Sequence, residues 1–291
     1  MNIVRGFFSG LFSLVLVIVL IVLGLVITIN YTILNPDFVI SELDKLDVHS
    51  IIMDEVKNHL AVEDPYITEI IDDIAPELEP WLKEQTVSVI YAGYAYLKED
   101  AQLNIVIPLD EVRSSIKDYV AQMMRESPPP ELEGASEAEI EFFLTLLYAE
   151  IDNRVPKQIE INEELIGTEL AEQLQTVKEI IAYIKLGYKV LIGLAALLVL
   201  LIALIQWWSA KPVARFTGIA FAIAGVVSLV AVFTARFIIL QIIPSNIPAD
   251  IISILPRLIS DSSYPLLIYG IAILATGIGL IVLSIKLRLH D

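Results

Sequence analysis

Four runs of this chain are long and apolar enough to cross a lipid bilayer, which constrains the fold more than any other feature of its 291 residues. About 20 apolar residues in a helix cover ~30 Å of hydrocarbon. The runs are Phe7–Ile29, which holds 23 residues and no charge, then Tyr188–Trp208, Phe216–Leu240 and Leu266–Ile285. The first has a longer apolar core than a secretory signal, and no small-residue cleavage site follows it before Asn35-Pro36, so it reads as a retained span. A mean hydropathy of +0.71 agrees with a membrane protein.

Charge is sorted around these runs. Residues 30–186 hold 33 of the 36 acids but only 11 of the 19 bases, so an acidic block lies between the first and second spans. Lys and Arg close to span ends tend to stay cytoplasmic, whereas long domains translocate largely regardless of charge. Arg5, the turn holding Lys211 and Arg215, and the tail Lys286-Leu287-Arg288 fall on one side if the spans number four. The expected protein is therefore multi-pass in a plasma membrane, with both termini cytoplasmic and residues 30–186 extracytoplasmic.

The expected fold class is an all-α polytopic membrane protein, with a mainly helical, minor-β domain inserted between spans 1 and 2. Its segments are 1–34 (first span), 35–167 (acidic domain), 168–208 (a helical stalk continuous with the second span), 209–240 (turn and third span), 241–265 (outer interfacial segment) and 266–291 (fourth span and basic tail). Four spans with a large first outer loop resemble claudins and tetraspanins in layout. The cysteine signatures of those loops are absent, since the chain has no cysteine, and no membership follows.

Within the acidic block, Asn35-Pro36-Asp37 is a helix-start signal, because Asn caps and Pro suits the first turn. Further helices are expected over His49–Ala61, from Pro65 as a short piece, over Trp81–Lys98, over Leu109–Arg125 and over Ser136–Arg154. Ser136 and Glu139 have capping-box spacing, and Ile140, Phe143, Leu144, Leu147 and Ile151 form the expected core face of the last of these. Asn104–Ile107 and Lys157–Asn162 alternate like strands and are expected to pair, with Ile159 and Ile161 inward. Leu170, Leu174, Val177, Ile181, Ile184 and Tyr188 repeat at coiled-coil spacing, so one helix is expected from Thr168 to Trp208, roughly 60 Å long. The competing reading breaks it at Gly187.

In the membrane, Gly218, Ala222 and Gly225 on the third span, and Ala275 and Gly279 on the fourth, have the small-residue spacing of close helix contacts. Gln241–Pro265 carries four prolines and reads as a short helix lying at the outer interface or packed under the acidic domain, with a re-entrant pore segment as the alternative. Arg236 is the charge clearly inside a span, at its outer end, where a side chain snorkels.

Candidate chemistry is sparse. No nucleophile elbow, zinc-binding His-Glu-x-x-His or phosphate-cradling loop occurs, and the histidines are His49, His59 and His290. Glu55, His59 and Glu63 fall at four-residue intervals, the spacing of a helix-face metal site, with Asp54 and Asp64 beside them. So acidic a block produces such spacings by chance, and a solvated face is the preferred reading; no catalytic residue, cofactor or metal site is assigned. The charge disfavours nucleic acid, whose phosphates need bases. The expected partners are the lipid bilayer and an envelope protein or second copy. The expected role is non-enzymatic binding or scaffolding; a ligand sensor or channel component coupled through the stalk comes next, and an envelope enzyme last.

Overall fold

Each apolar run is helical in the computed structural model, except that the second ends its helix at Ile205 and turns at Gln206–Trp208 rather than continuing to Trp208 as expected; the structure describes residues 2–46, 65–98, 102–126, 128–129, 132, 134–242 and 249–287. In chain order the described elements are α1 (Asn2–Tyr31), α2 (Pro36–Lys45), α3 (Pro65–Lys98), β1 (Asn104–Pro108), α4 (Asp110–Glu126), α5 (Glu137–Arg154), β2 (Gln158–Asn162), α6 (Glu163–Ile205), α7 (Ala210–Ile242) and α8 (Ala249–Lys286). Helices α1, α6, α7 and α8 are long and apolar enough to cross a membrane. The chain divides into two compact units: Met1–Val39 with Glu179–Asp291, and Ile40–Lys178.

In the first unit, Leu16, Val19 and Leu20 of α1 share a core with Leu198 and Ile202 of α6 and Ala220 and Ala224 of α7. Glycines set the approach of α7 to α8. A methyl group on Gly225 would lie 2.6 Å from the Leu274 nitrogen, and one on Gly277 would lie 2.4 Å from that of Ala222. The contact rows are Gly218, Ala222, Gly225 and Leu229 against Gly270, Leu274, Gly277 and Ile281. Both repeat at 4, 3 and 4, so successive residues stay on one helix face. On α8 this corrects the expected Ala275 and Gly279, which stand exposed on another face.

Three polar side chains inside this apolar unit bond across helices, whereas the buried hydroxyls of Thr217 and Ser228 have no partner. Ser13 Oγ donates to the Phe216 carbonyl at 3.0 Å, Gln206 Nε2 to Ser9 Oγ at 2.8 Å, and the Tyr269 hydroxyl to the Leu20 carbonyl at 2.7 Å. Gly24 leaves room for that tyrosine, whose ring would come within 2.6 Å of any added Cβ.

The outer segment differs from expectation. Helix α8 starts at Ala249 and runs through Pro256 and Pro265, so residues 249–265 belong to the fourth apolar helix rather than to a separate one. Residues 243–248 lie outside the described residues. Arg236 does not simply reach outward: its Nε donates to Ser263 Oγ at 3.1 Å and its Nη2 to the Ser260 carbonyl at 3.2 Å. Those bonds hold it to the proline-bounded stretch of α8.

In the second unit, α3 is one helix rather than two, with Pro76 and Pro80 inside it. Both prolines are exposed while Ile74, Ala75 and Leu78 are buried, so the carbonyls that lose an N–H partner lie toward the solvated side. Packing on the opposite side keeps the helix whole. Tyr96 of α3 is buried with Leu103 and Ile105, and Trp81 Nε1 donates to the Pro108 carbonyl at 3.2 Å. The strands pair antiparallel, Asn104 opposite Asn162 and Pro108 opposite Gln158. The core beneath reaches Ile107 and Ile161 but not Ile159, which is 42% exposed, contrary to expectation.

Helix α6 follows β2 directly. Its non-helical residue is Gly167, at φ 77° and ψ 164°, and it passes Gly187 unbroken. The heptad-like row is only partly covered. Leu174 packs into the Tyr96 core, and the Lys178 ammonium lies 5.2 Å from the Tyr96 ring centre, while Leu170 and Val177 remain exposed.

Candidate interaction surface

Helices α4 and α5 form a small lobe of the second unit whose core is Val120, Ala121 and Met124 of α4 with Leu144 of α5. Ile116, Ile140, Leu147 and Ile151 close around them. The start of α5 is fixed locally: the Glu139 carboxylate accepts from the Ser136 backbone N–H and from its hydroxyl, both at 2.8 Å. Those two bonds hold the Glu139 carboxyl below the usual carboxylate range, the backbone one most strongly. The preceding loop turns at Gly134, whose φ of 85° is open to glycine but disfavoured for residues with a Cβ.

The far end of the lobe is tied by charge. Asp152 of α5 pairs with Arg113 and with Lys117 of α4, the latter at 2.5 Å. The Lys117 hydrogen bond, with Arg113 adding to it, holds the Asp152 carboxyl below its ordinary value. Arg113 also lies 3.6 Å from Asp110, which keeps its mostly buried guanidinium among carboxylates.

With both ends fixed, α5 carries more apolar side chains than its core can cover. Phe142 is 67% exposed, Leu146 53% and Phe143 42%. Phe143 was expected in the core and instead lies at its edge. Phe142 and Phe143 line a shallow groove of about 560 Å³ together with Leu132 and Ala135. Glu137, Glu139, Glu141 and Glu150 share the helix with these aromatics and are exposed. The result is an apolar strip in an acidic setting.

Phe142 and Leu146 were missed because one stripe of the 3.6-residue period accounts for Ile140, Leu144, Leu147 and Ile151 and leaves the others over. The signal was the surplus itself: Ile140-Glu-Phe-Phe-Leu-Thr-Leu-Leu147 is more apolar than a single face requires.

The other flagged positions do not join this surface. Glu55, His59 and Glu63, with Asp54 and Asp64, lie outside the described residues, as do the expected His49–Ala61 helix and His290. Among the described residues no group of three or more His, Asp or Glu is placed to hold a metal ion. Arg236 belongs to the apolar unit. No protein-family model, curated protein or solved structure matches this chain. The class its own features define is a helical protein with four helices long and apolar enough to span a membrane.

Proposed function

We propose that this chain is a non-enzymatic multi-pass membrane protein of the cell envelope, whose acidic domain is displayed extracytoplasmically between the first two spans and binds a protein partner through α5. The observation that carries the reading is the exposure of Phe142, Phe143 and Leu146 beside exposed glutamates. Exposed apolar patches on a water-facing domain are characteristic of interaction sites, and aromatics concentrate at their centres. The glutamates favour a partner with apolar side chains inside a basic rim.

The test is recovery of cross-linked complexes from native membranes with the chain carrying Phe142→Ser and Leu146→Ser. Loss of a stoichiometric partner, with the melting temperature unchanged because both side chains are already exposed, supports the proposal. Undiminished recovery overturns it, as does a complex that contains only copies of this chain.

A second reading, ligand sensing or transport coupled through the second apolar helix, is favoured by the continuity of α6 past Gly187. It predicts that helix-breaking prolines near that glycine abolish a ligand-dependent change in the bundle. Persistence of that change with the helix broken contradicts it.

A further inference from the structure

The turn joining α6 to α7 takes a backbone form that its residues disfavour. Trp208 N–H donates to the Ala203 carbonyl at 2.9 Å and Trp207 N–H to that of Leu204 at 3.0 Å, the two bonds of a Schellman motif. That motif places the residue after the cap in the left-handed region, where glycine is ordinarily found. Here Trp207 occupies it at φ 51°, and Trp208 follows at φ 57°. A left-handed backbone crowds the Cβ of any L residue. Burial does not compensate, since the indoles are 69% and 68% exposed. The fold holds two large rings outward at a place where glycine would make an easier turn.

Positive charge gathers at the same end of the bundle. The Arg5 guanidinium lies 5.3 Å from the Trp207 ring centre, and Lys211 and Arg215 lie in the opening turns of α7. The approach of Gly218 to Gly277 and Ile281 brings the end of α8, with Lys286, to this level. Residues 2–31, 187–242 and 266–287 contain no Asp or Glu, in a chain of net charge −17.

We propose that this end of the bundle is a binding site for the headgroup of an anionic phospholipid. Its phosphate is held by Arg5, Lys211 and Arg215, and the two indoles grip the zone between headgroup and acyl chain. Tryptophan favours that zone, and bases near span ends attract anionic lipid. A soluble phosphate would leave the exposed indoles without a role.

The test is native mass spectrometry of the full chain released from vesicles of equimolar phosphatidylglycerol and phosphatidylcholine. The chain should retain phosphatidylglycerol preferentially, and Arg5→Gln or Lys211→Gln should each cut that preference on the order of fivefold. Trp207→Gly, which suits the backbone, should cut it as well while leaving the melting temperature unchanged or higher. Equal retention of the two lipids overturns the proposal, as does a preference that survives both Arg5→Gln and Trp207→Gly. It also falls if Lys189→Gln, near the opposite end of the second apolar helix, reduces the preference equally, or if millimolar inorganic phosphate displaces the lipid.

Discussion

The bundle and the acidic unit both expose large apolar side chains, yet the same exposure has a different meaning in each. In the bundle, Ile18, Val230 and Ile271 are each more than half exposed, as helices long enough to span a membrane require on their lipid side. Several polar groups there point inward and are paired, Gln206 with Ser9 and Tyr269 with the Leu20 carbonyl. In the acidic unit the core clusters are apolar and most of the charge lies at the surface, so Phe142 and Leu146 run against their surroundings. Lipid accounts for the first kind of exposure. The proposed protein partner would account for the second, since the glutamates around it repel anionic membrane surfaces.

This contrast can be broken from either side. The largest effect is expected where α7 and α8 touch backbone to backbone. Gly277→Val should destabilise the bundle by about 1–3 kcal/mol or more, since the Ala222 nitrogen cannot yield like a flexible side chain. Thermal unfolding in detergent checks this, and a variant as stable as the parent would show that the helices do not depend on that approach. Gly279→Val, on the open face of the same helix, should be close to neutral.

Next comes the paired polar group within the bundle. Tyr269→Phe should lose about 0.6 kcal/mol, with ~1.7 kcal/mol as the upper end for such bonds between membrane helices. Loss well above that range would mean the hydroxyl does more than pair with Leu20.

The smallest effect is an acid dependence of the α4–α5 lobe. The Asp152 carboxyl sits below its ordinary value, so its contribution is full above the unfolded carboxylate pKa and is lost as pH falls through the lower, folded one. Asp152→Asn should remove that part of the acid sensitivity while lowering stability at neutral pH. An identical pH profile for parent and variant, measured by melting, would show that the cluster contributes nothing.

Legibility in the sequence followed how strictly each environment enforces a period. The spans were plain because lipid tolerates little but apolar residues over about 20 positions. The strand pair was readable from the alternation of Gln158-Ile159-Glu160-Ile161, although alternation does not reveal how far the core extends beneath Ile159. Pro76 and Pro80 misled, since local chemistry signals a break and only the packing of Ile74 and Leu78 overrides it. Pro256 and Pro265 misled in the same way on α8. The α5 surface was half visible: Ser136 and Glu139 marked its start, but which aromatics stay outside depends on how α4 covers it.

The most direct test of a partner on α5 exploits the absence of cysteine from the chain. A single Phe142→Cys substitution, with Ser114→Cys at an exposed position of α4 as reference, is labelled with a hydrophilic maleimide in native membranes and again after purification. With a partner on α5, position 142 is protected in native membranes and becomes reactive on purification, while position 114 reacts equally in both. Equal reactivity of position 142 in the two states would contradict it.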